Sequence, residues 1–129
     1  MTRQDLDARI GEILNRHGAF FAFSQRQFEE QQVKGVKYTN CGGGMACPEG
    51  AVDQLSVEIE AAIDAYRAAD LAENGKTEII WRELANHEAQ LTHDIQDTVA
   101  ALQGYGITRE EVKAEWPAYL RRCVENDLF

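Results

Sequence analysis

The chain has 129 residues, 44% of them hydrophobic, with 22 acidic against 13 basic side chains and a formal net charge of −9. That length suits one domain over residues 1–129, able to bury roughly two thirds of its unfolded surface, while the charge argues against direct binding of nucleic-acid backbone, which gains from clustered Lys and Arg releasing counterions. No apolar run approaches the ~20 residues that cross a bilayer, and the opening MTRQDLDARI is charged and helix-like rather than a secretory leader, so a soluble cytoplasmic protein with no membrane partner is expected.

Residues 2–17 read as an amphipathic helix: Leu6, Ile10, Ile13 and Leu14 recur at helical spacing, Thr2 with Asp5 resembles a capping box, and Gly18 supplies the stop. AFFAFS, 19–24, places three phenylalanines in five residues, a density that suits the centre of a core. Ser24 and Gln27 repeat the box spacing, so SQRQFEEQQ is expected as a short helix with Phe28 turned inward. VKGVKYTN, 33–40, carries the one modest strand signal, Val36 and Tyr38 alternating with Lys37 and Thr39, and one such segment makes no sheet unaided.

After the glycine turn, Pro48 suits the first turn of a long helix whose stripe of Val52, Leu55, Ile59, Ile63 and Tyr66 ends near Gly75. Thr77 begins the next helical pattern, with Ile80, Leu84, His87 and Leu91 on one face. Its polar tail THD can cap DIQDTVAALQ, a helix ending at Gly104 or Gly106. Thr108 with Glu111 forms the clearest box, and Ile107 can pack on Val112 as a hydrophobic staple. The final helix meets Pro117 and should kink or restart there. The expected fold is mainly α, a compact single domain of five or six helices, with a small β-hairpin near residues 33–48 as the α+β alternative.

Cys41 and Cys47 flank Gly42, Gly43 and Gly44. Their spacing is not the C-x-x-C of thiol–disulfide enzymes, an odd cysteine count disfavours a disulfide framework, and Cys123 reads as a small apolar group. A zinc site would need four ligands and would recruit Cys41, Cys47, His87 and His93. Six residues of continuous helix, however, turn through about 600°, which sets the two imidazoles on nearly opposite faces unless the helix breaks between Ala89 and Thr92. Glu83 and His87, four apart, can orient an imidazole, and an undefined enzyme centred on His87 is a further reading. The HExxH pattern is absent because Leu91 stands in place of its second histidine, and a lone histidine between Leu84 and Leu91 reads first as a core-edge residue. The glycine loop can offer amides to an anion, but the Gly-Lys-Ser/Thr ending of a P-loop is missing. The favoured alternative is a structural loop that runs hard against aromatic side chains, with Met45 as core filler. No cofactor is expected.

Glu58, Asp64, Asp94, Asp97, Glu110, Glu111 and Glu115 are the leading acidic candidates, on predicted polar faces. Solvation is the plain meaning of such faces. Gathered on one side they would form an acidic plate able to occupy a protein groove built for phosphates, so a basic, nucleic-acid-binding protein is the partner expected. Apolar Trp116, Tyr119, Leu120 and Phe129 leave a homodimer patch open.

The order FFAFSQRQF, the GGG turn, ELANHEAQLTHDIQDT and GYGITREEV resembles a family of small uncharacterised proteins found in phages and other mobile elements. The similarity covers Ala19 to about Val112, and the family has no assigned reaction. Cysteine often follows its Asn-His-Glu motif, where this chain has Ala89, which speaks against a metal or thiol role there. The resemblance implies a phage-borne accessory protein in the host cytoplasm that binds and inhibits a host nucleic-acid-handling or defence protein, in the manner of an anti-CRISPR inhibitor.

Overall fold

The computed structural model describes residues 2–129, and the chain divides into two units, residues 1–66 and 67–129. The first unit begins with α1 (Arg3–Arg16), where the Asp5 N–H donates to Thr2 Oγ1 at 3.1 Å and the Thr2 N–H donates to Asp5 Oδ2 at 2.7 Å. This is the reciprocal box expected from the sequence. The Thr2 N–H, chiefly, holds the Asp5 carboxyl below its ordinary range. Leu6, Ile13 and Leu14 form the buried side of α1, and Gly18 turns the chain away at φ 74°.

A three-stranded antiparallel sheet of order β1-β3-β2 follows, built from β1 (Phe20–Phe21), β2 (Tyr38–Asn40) and β3 (Met45–Pro48). Phe20 pairs with Ala46, and Thr39 with Cys47. The alternation around Tyr38 therefore does mark a strand, and β2 with β3 forms the hairpin expected as the alternative near residues 33–48, while β1 has no strand signal of its own. Phe-Phe is only two residues long, and MACP shows no polar alternation because adjacent Ala46 and Cys47 are both buried. Pro48 accordingly ends a strand, and a 3-10 turn, Glu49–Ala51, stands where the helix was expected to begin.

Side chains alternate along a strand, so the register sets Phe20, Tyr38 and Ala46 on one face and Phe21, Thr39, Met45 and Cys47 on the other. On the first face, α2 (Gln25–Gln31) contributes Phe28, whose ring centroid lies 5.8 Å from that of Phe20 and 5.5 Å from that of Tyr38. On the second, fully buried Cys47 joins Ile13, Leu14, Ala19 and Leu55, with Met45 packed against the cluster. Three phenylalanines cannot all enter this core, contrary to the sequence reading: Phe21 is 48% and Phe23 74% exposed. Phe20 and Phe21 are strand neighbours that must face opposite ways, and Phe23 stacks on Phe21 at 6.3 Å while lying over Gly44. Ser24 caps α2 through the Gln27 N–H, yet the Gln27 side chain accepts from the Phe23 N–H at 2.7 Å, one residue short of a box.

The second unit opens within α3 (Val52–Asn86), which non-helical torsions at Gly75 (φ 77°, ψ 163°) break close to the boundary expected from the sequence. In a straight helix residues 70 and 82 would stand about 18 Å apart along the axis. The Arg82–Asp70 ion pair at 2.7 Å shows that the chain doubles back at Gly75. Beyond it come α4 (Ala89–Thr92), α5 (Gln96–Leu102), a 3-10 turn over Gln103–Tyr105, and α6 (Arg109–Glu125). Glu88 and His93 adopt left-handed torsions at the two ends of α4. The helical face that buries Ile80 and Leu84 is thereby cut before Leu91, which is 53% exposed. The THD segment organises the entry to α5: the Asp94 N–H donates to Thr92 Oγ1, and the Gln96 N–H to Asp94 Oδ1.

Ile79, Ile80, Leu84, Ala89, Val99, Leu102, Ile107, Val112, Tyr119 and Cys123 form the core of this unit. The Thr108–Glu111 box starts α6 as expected, with Ile107 and Val112 buried beside it. Thr108→Ala removes that cap and is expected to lower stability by about 1 kcal/mol, read as a lower urea midpoint at unchanged slope. Pro117 does not restart the helix. It deletes one backbone bond, and α6 runs on because its buried side continues beyond the proline as Tyr119 and Cys123.

Candidate functional site

Among the described residues the buried charged side chain is Asp70, 4% exposed. One carboxylate oxygen accepts from Asn74 Nδ2 at 2.7 Å and Arg82 Nη1 at 3.1 Å; the other accepts from Arg82 Nη2 at 2.7 Å and the Tyr105 hydroxyl at 2.6 Å. The bidentate fork and two further donors satisfy the carboxylate on both sides. The Arg82 guanidinium, chiefly, holds the Asp70 carboxyl down to about 2, with Tyr105 and Asn74 adding to the effect. An acid so held stays ionised at neutral pH and moves no proton. Its work is to tie the two arms of the Gly75 bend together. Arg67 extends the network, its guanidinium 5.8 Å from the Tyr105 ring centroid and packed on Gly104, where an added Cβ would stand 2.2 Å from it. The sequence signal for this network is partial: Asp70 and Asn74 are one turn apart, but the reach to Arg82 exists only once the helix breaks.

A groove of about 580 Å³ in the same unit is lined by Thr77, Trp81, Arg82, Tyr119, Arg122 and Leu128. Several of its polar groups bond to neighbouring side chains. Thr77 Oγ1 and Trp81 Nε1 each donate to Glu115 at 3.0 Å, Arg122 lies 5.3 Å from the Trp81 ring centroid, and the Tyr119 hydroxyl donates to Gln90 Oε1 at 2.8 Å. Burial pushes the Tyr119 hydroxyl up to about 12.

The seven acidic candidates fall into two sets. Glu58 accepts from Arg16 and His17, and the His17 bond, foremost, lowers its carboxyl. Glu111 accepts from Lys76 Nζ at 2.8 Å, which likewise lowers it, and Glu115 holds Thr77 and Trp81. These three act within the fold. Asp64, Asp94, Asp97 and Glu110 are exposed.

The structural loop residues Gly42, Gly43 and Gly44 take φ of 87°, 60° and 83°. The Gly42 N–H donates to Asn40 Oδ1 and the Met45 N–H to the Gly42 carbonyl, so these two amides face the loop itself. Cys41 is exposed and Cys47 buried, and burial, with the Cys41 thiol beside it, pushes the Cys47 thiol up. His87 lies 3.6 Å from Glu83, as the four-residue spacing suggests, and just past the end of α3; His93 stands edge-on to Trp116. Among the described residues no three His, Cys, Asp or Glu side chains are placed to hold a metal ion, and Cys41, Cys47, His87 and His93 form no such group. Of the apolar C-terminal residues, Tyr119 is buried, Trp116 and Leu120 are half-buried, and Phe129 is exposed.

No helix among the described residues is long and apolar enough to cross a membrane. The chain matches none of the curated proteins and none of the solved structures. A family model described as a family of unknown function (DUF7659) matches residues 2–122, nearly the whole chain, and the protein belongs to that family.

Proposed function

We propose that this protein is a non-enzymatic binding protein that presents exposed carboxylates to a basic, nucleic-acid-handling partner. The observation that supports the reading is how charge is used within residues 67–129. This segment has twelve acidic and seven basic side chains. Four of the bases are engaged internally: Lys76 with Glu111, Arg82 with Asp70, Arg67 with the Tyr105 ring and Arg122 with the Trp81 ring. Asp94, Asp97 and Glu110 are exposed, as are the remaining bases Arg109, Lys113 and Arg121, and the segment's excess of five acidic side chains sets the outward field. Such a field steers a cationic partner and speeds its association. The resemblance to phage and mobile-element proteins favours a host defence protein, bound as an anti-CRISPR inhibitor binds its target.

Co-purification of the full chain from a defence-competent bacterial lysate tests this at about 0.1 and 1 M salt, between which the Debye length falls from about 10 to about 3 Å. A basic, nucleic-acid-binding protein is expected at low salt and lost at high salt. Its association with the Asp94→Asn, Asp97→Asn, Glu110→Gln triple variant should be about tenfold slower. Recovery of no basic partner at either salt overturns the reading.

A further inference from the structure

The hairpin that carries Cys41 and Cys47 is ordered by its register. Thr39 faces Cys47 across the β2–β3 ladder, and the Cys41 N–H donates to the Met45 carbonyl at 2.9 Å, so pairing runs one step past Asn40. Two residues along a strand return to the same face. Cys41 therefore shares the face of Cys47 as its diagonal neighbour; the Cys41 thiol donates to the Thr39 carbonyl at 3.8 Å and the Cys47 thiol to the Pro48 carbonyl at 3.4 Å, and the first is exposed while the second is fully buried.

From this placement we infer that Cys41 and Cys47 are a reversible redox pair, in which hydrogen peroxide oxidises exposed Cys41 and buried Cys47 resolves it as an intrachain disulfide. In the first step the Cys41 thiolate attacks the peroxide: an S–O bond forms, the O–O bond breaks, and the leaving oxygen departs with a proton as water. In the second, Cys47 Sγ attacks the Cys41 sulfur of the sulfenic acid. The S–S bond forms, the S–O bond breaks, and the Cys47 proton leaves with the hydroxide as a second water. The thiols lose two electrons and the peroxide gains them. Diagonal neighbours stand about 7–8 Å apart between Cα atoms and a disulfide spans about 4.4–6.8 Å, so closure draws the strand ends together by about 1 Å. Gly42, Gly43 and Gly44 lie directly between the two cysteines, where side-chain-free backbone absorbs that movement most readily.

The test treats the full native chain with hydrogen peroxide, then alkylates it under denaturing conditions and maps it with trypsin. Both cysteines fall in the single peptide 38–67, and Cys123 falls outside it. The expected result is a drop from three alkylatable thiols to one, with peptide 38–67 lighter by two hydrogens and restored by dithiothreitol. In Cys41→Ser, which leaves the core untouched, buried Cys47 and Cys123 should both stay alkylatable under the same treatment. Retention of three thiols in the parent chain overturns the inference. So does accumulation of Cys41 as sulfinic acid, or linkage of peptide 38–67 to a second copy of itself.

Discussion

Arg82→Ala is expected to destabilise the protein by about 3 kcal/mol, the low end of what stranding a buried charge costs, because Arg82 is itself 37% exposed and water can enter in its place. The loss is uneven between the partners: Asp70 stays buried with only Asn74 and Tyr105 as donors. Urea unfolding at neutral pH measures it. The same network carries an acid signature. Asp70 titrates at about 2 in the folded protein against an ordinary 3.8, so its folded value is depressed. The associated stability, about 2 kcal/mol at 1.36 kcal/mol per unit, is present above pH 4 or so and is lost as pH falls toward 2. Arg82→Ala should remove most of this acid dependence. An unchanged pH profile in the variant would show that Arg82 is not what keeps Asp70 ionised.

Gly75→Ala is expected to cost about 1–3 kcal/mol. No atom lies within 4 Å of where the new Cβ would stand, so the penalty is one of torsion alone, at φ 77° and ψ 163°. The two substitutions act on one structure, since the bend at Gly75 is what returns Arg82 to Asp70. A double-mutant cycle should therefore give a combined loss smaller than the sum by more than about 0.5 kcal/mol. Strict additivity would mean that bend and ion pair are independent.

The features legible in the sequence are those whose signal spans three or four residues. The Thr2–Asp5 and Thr108–Glu111 boxes, the stop at Gly18 and the break at Gly75 all belong to this class. What escaped depends on partners distant along the chain. β1 becomes a strand only beside β3, and Phe21 and Phe23 are left exposed next to it. Pro117 is a local breaker overruled by burial on both sides of it. The candidate acids divide similarly. Exposure of Asp64, Asp97 and Glu110 follows from the polar faces of their helices and that of Asp94 from the loop between α4 and α5, whereas Glu58, Glu111 and Glu115 meet donors at least 34 residues away, Thr108 apart, which no spacing rule reveals. Asp70 was invisible as a hub for the same reason.

The loop at 42–44 has a stereochemical consequence. At Gly42 and Gly43 there is room for a side chain, yet all three torsions lie in the half of the map that L-residues rarely enter. The turn thus discriminates by chirality before it discriminates by size, and glycine fits because, alone among the encoded residues, it has no stereocentre.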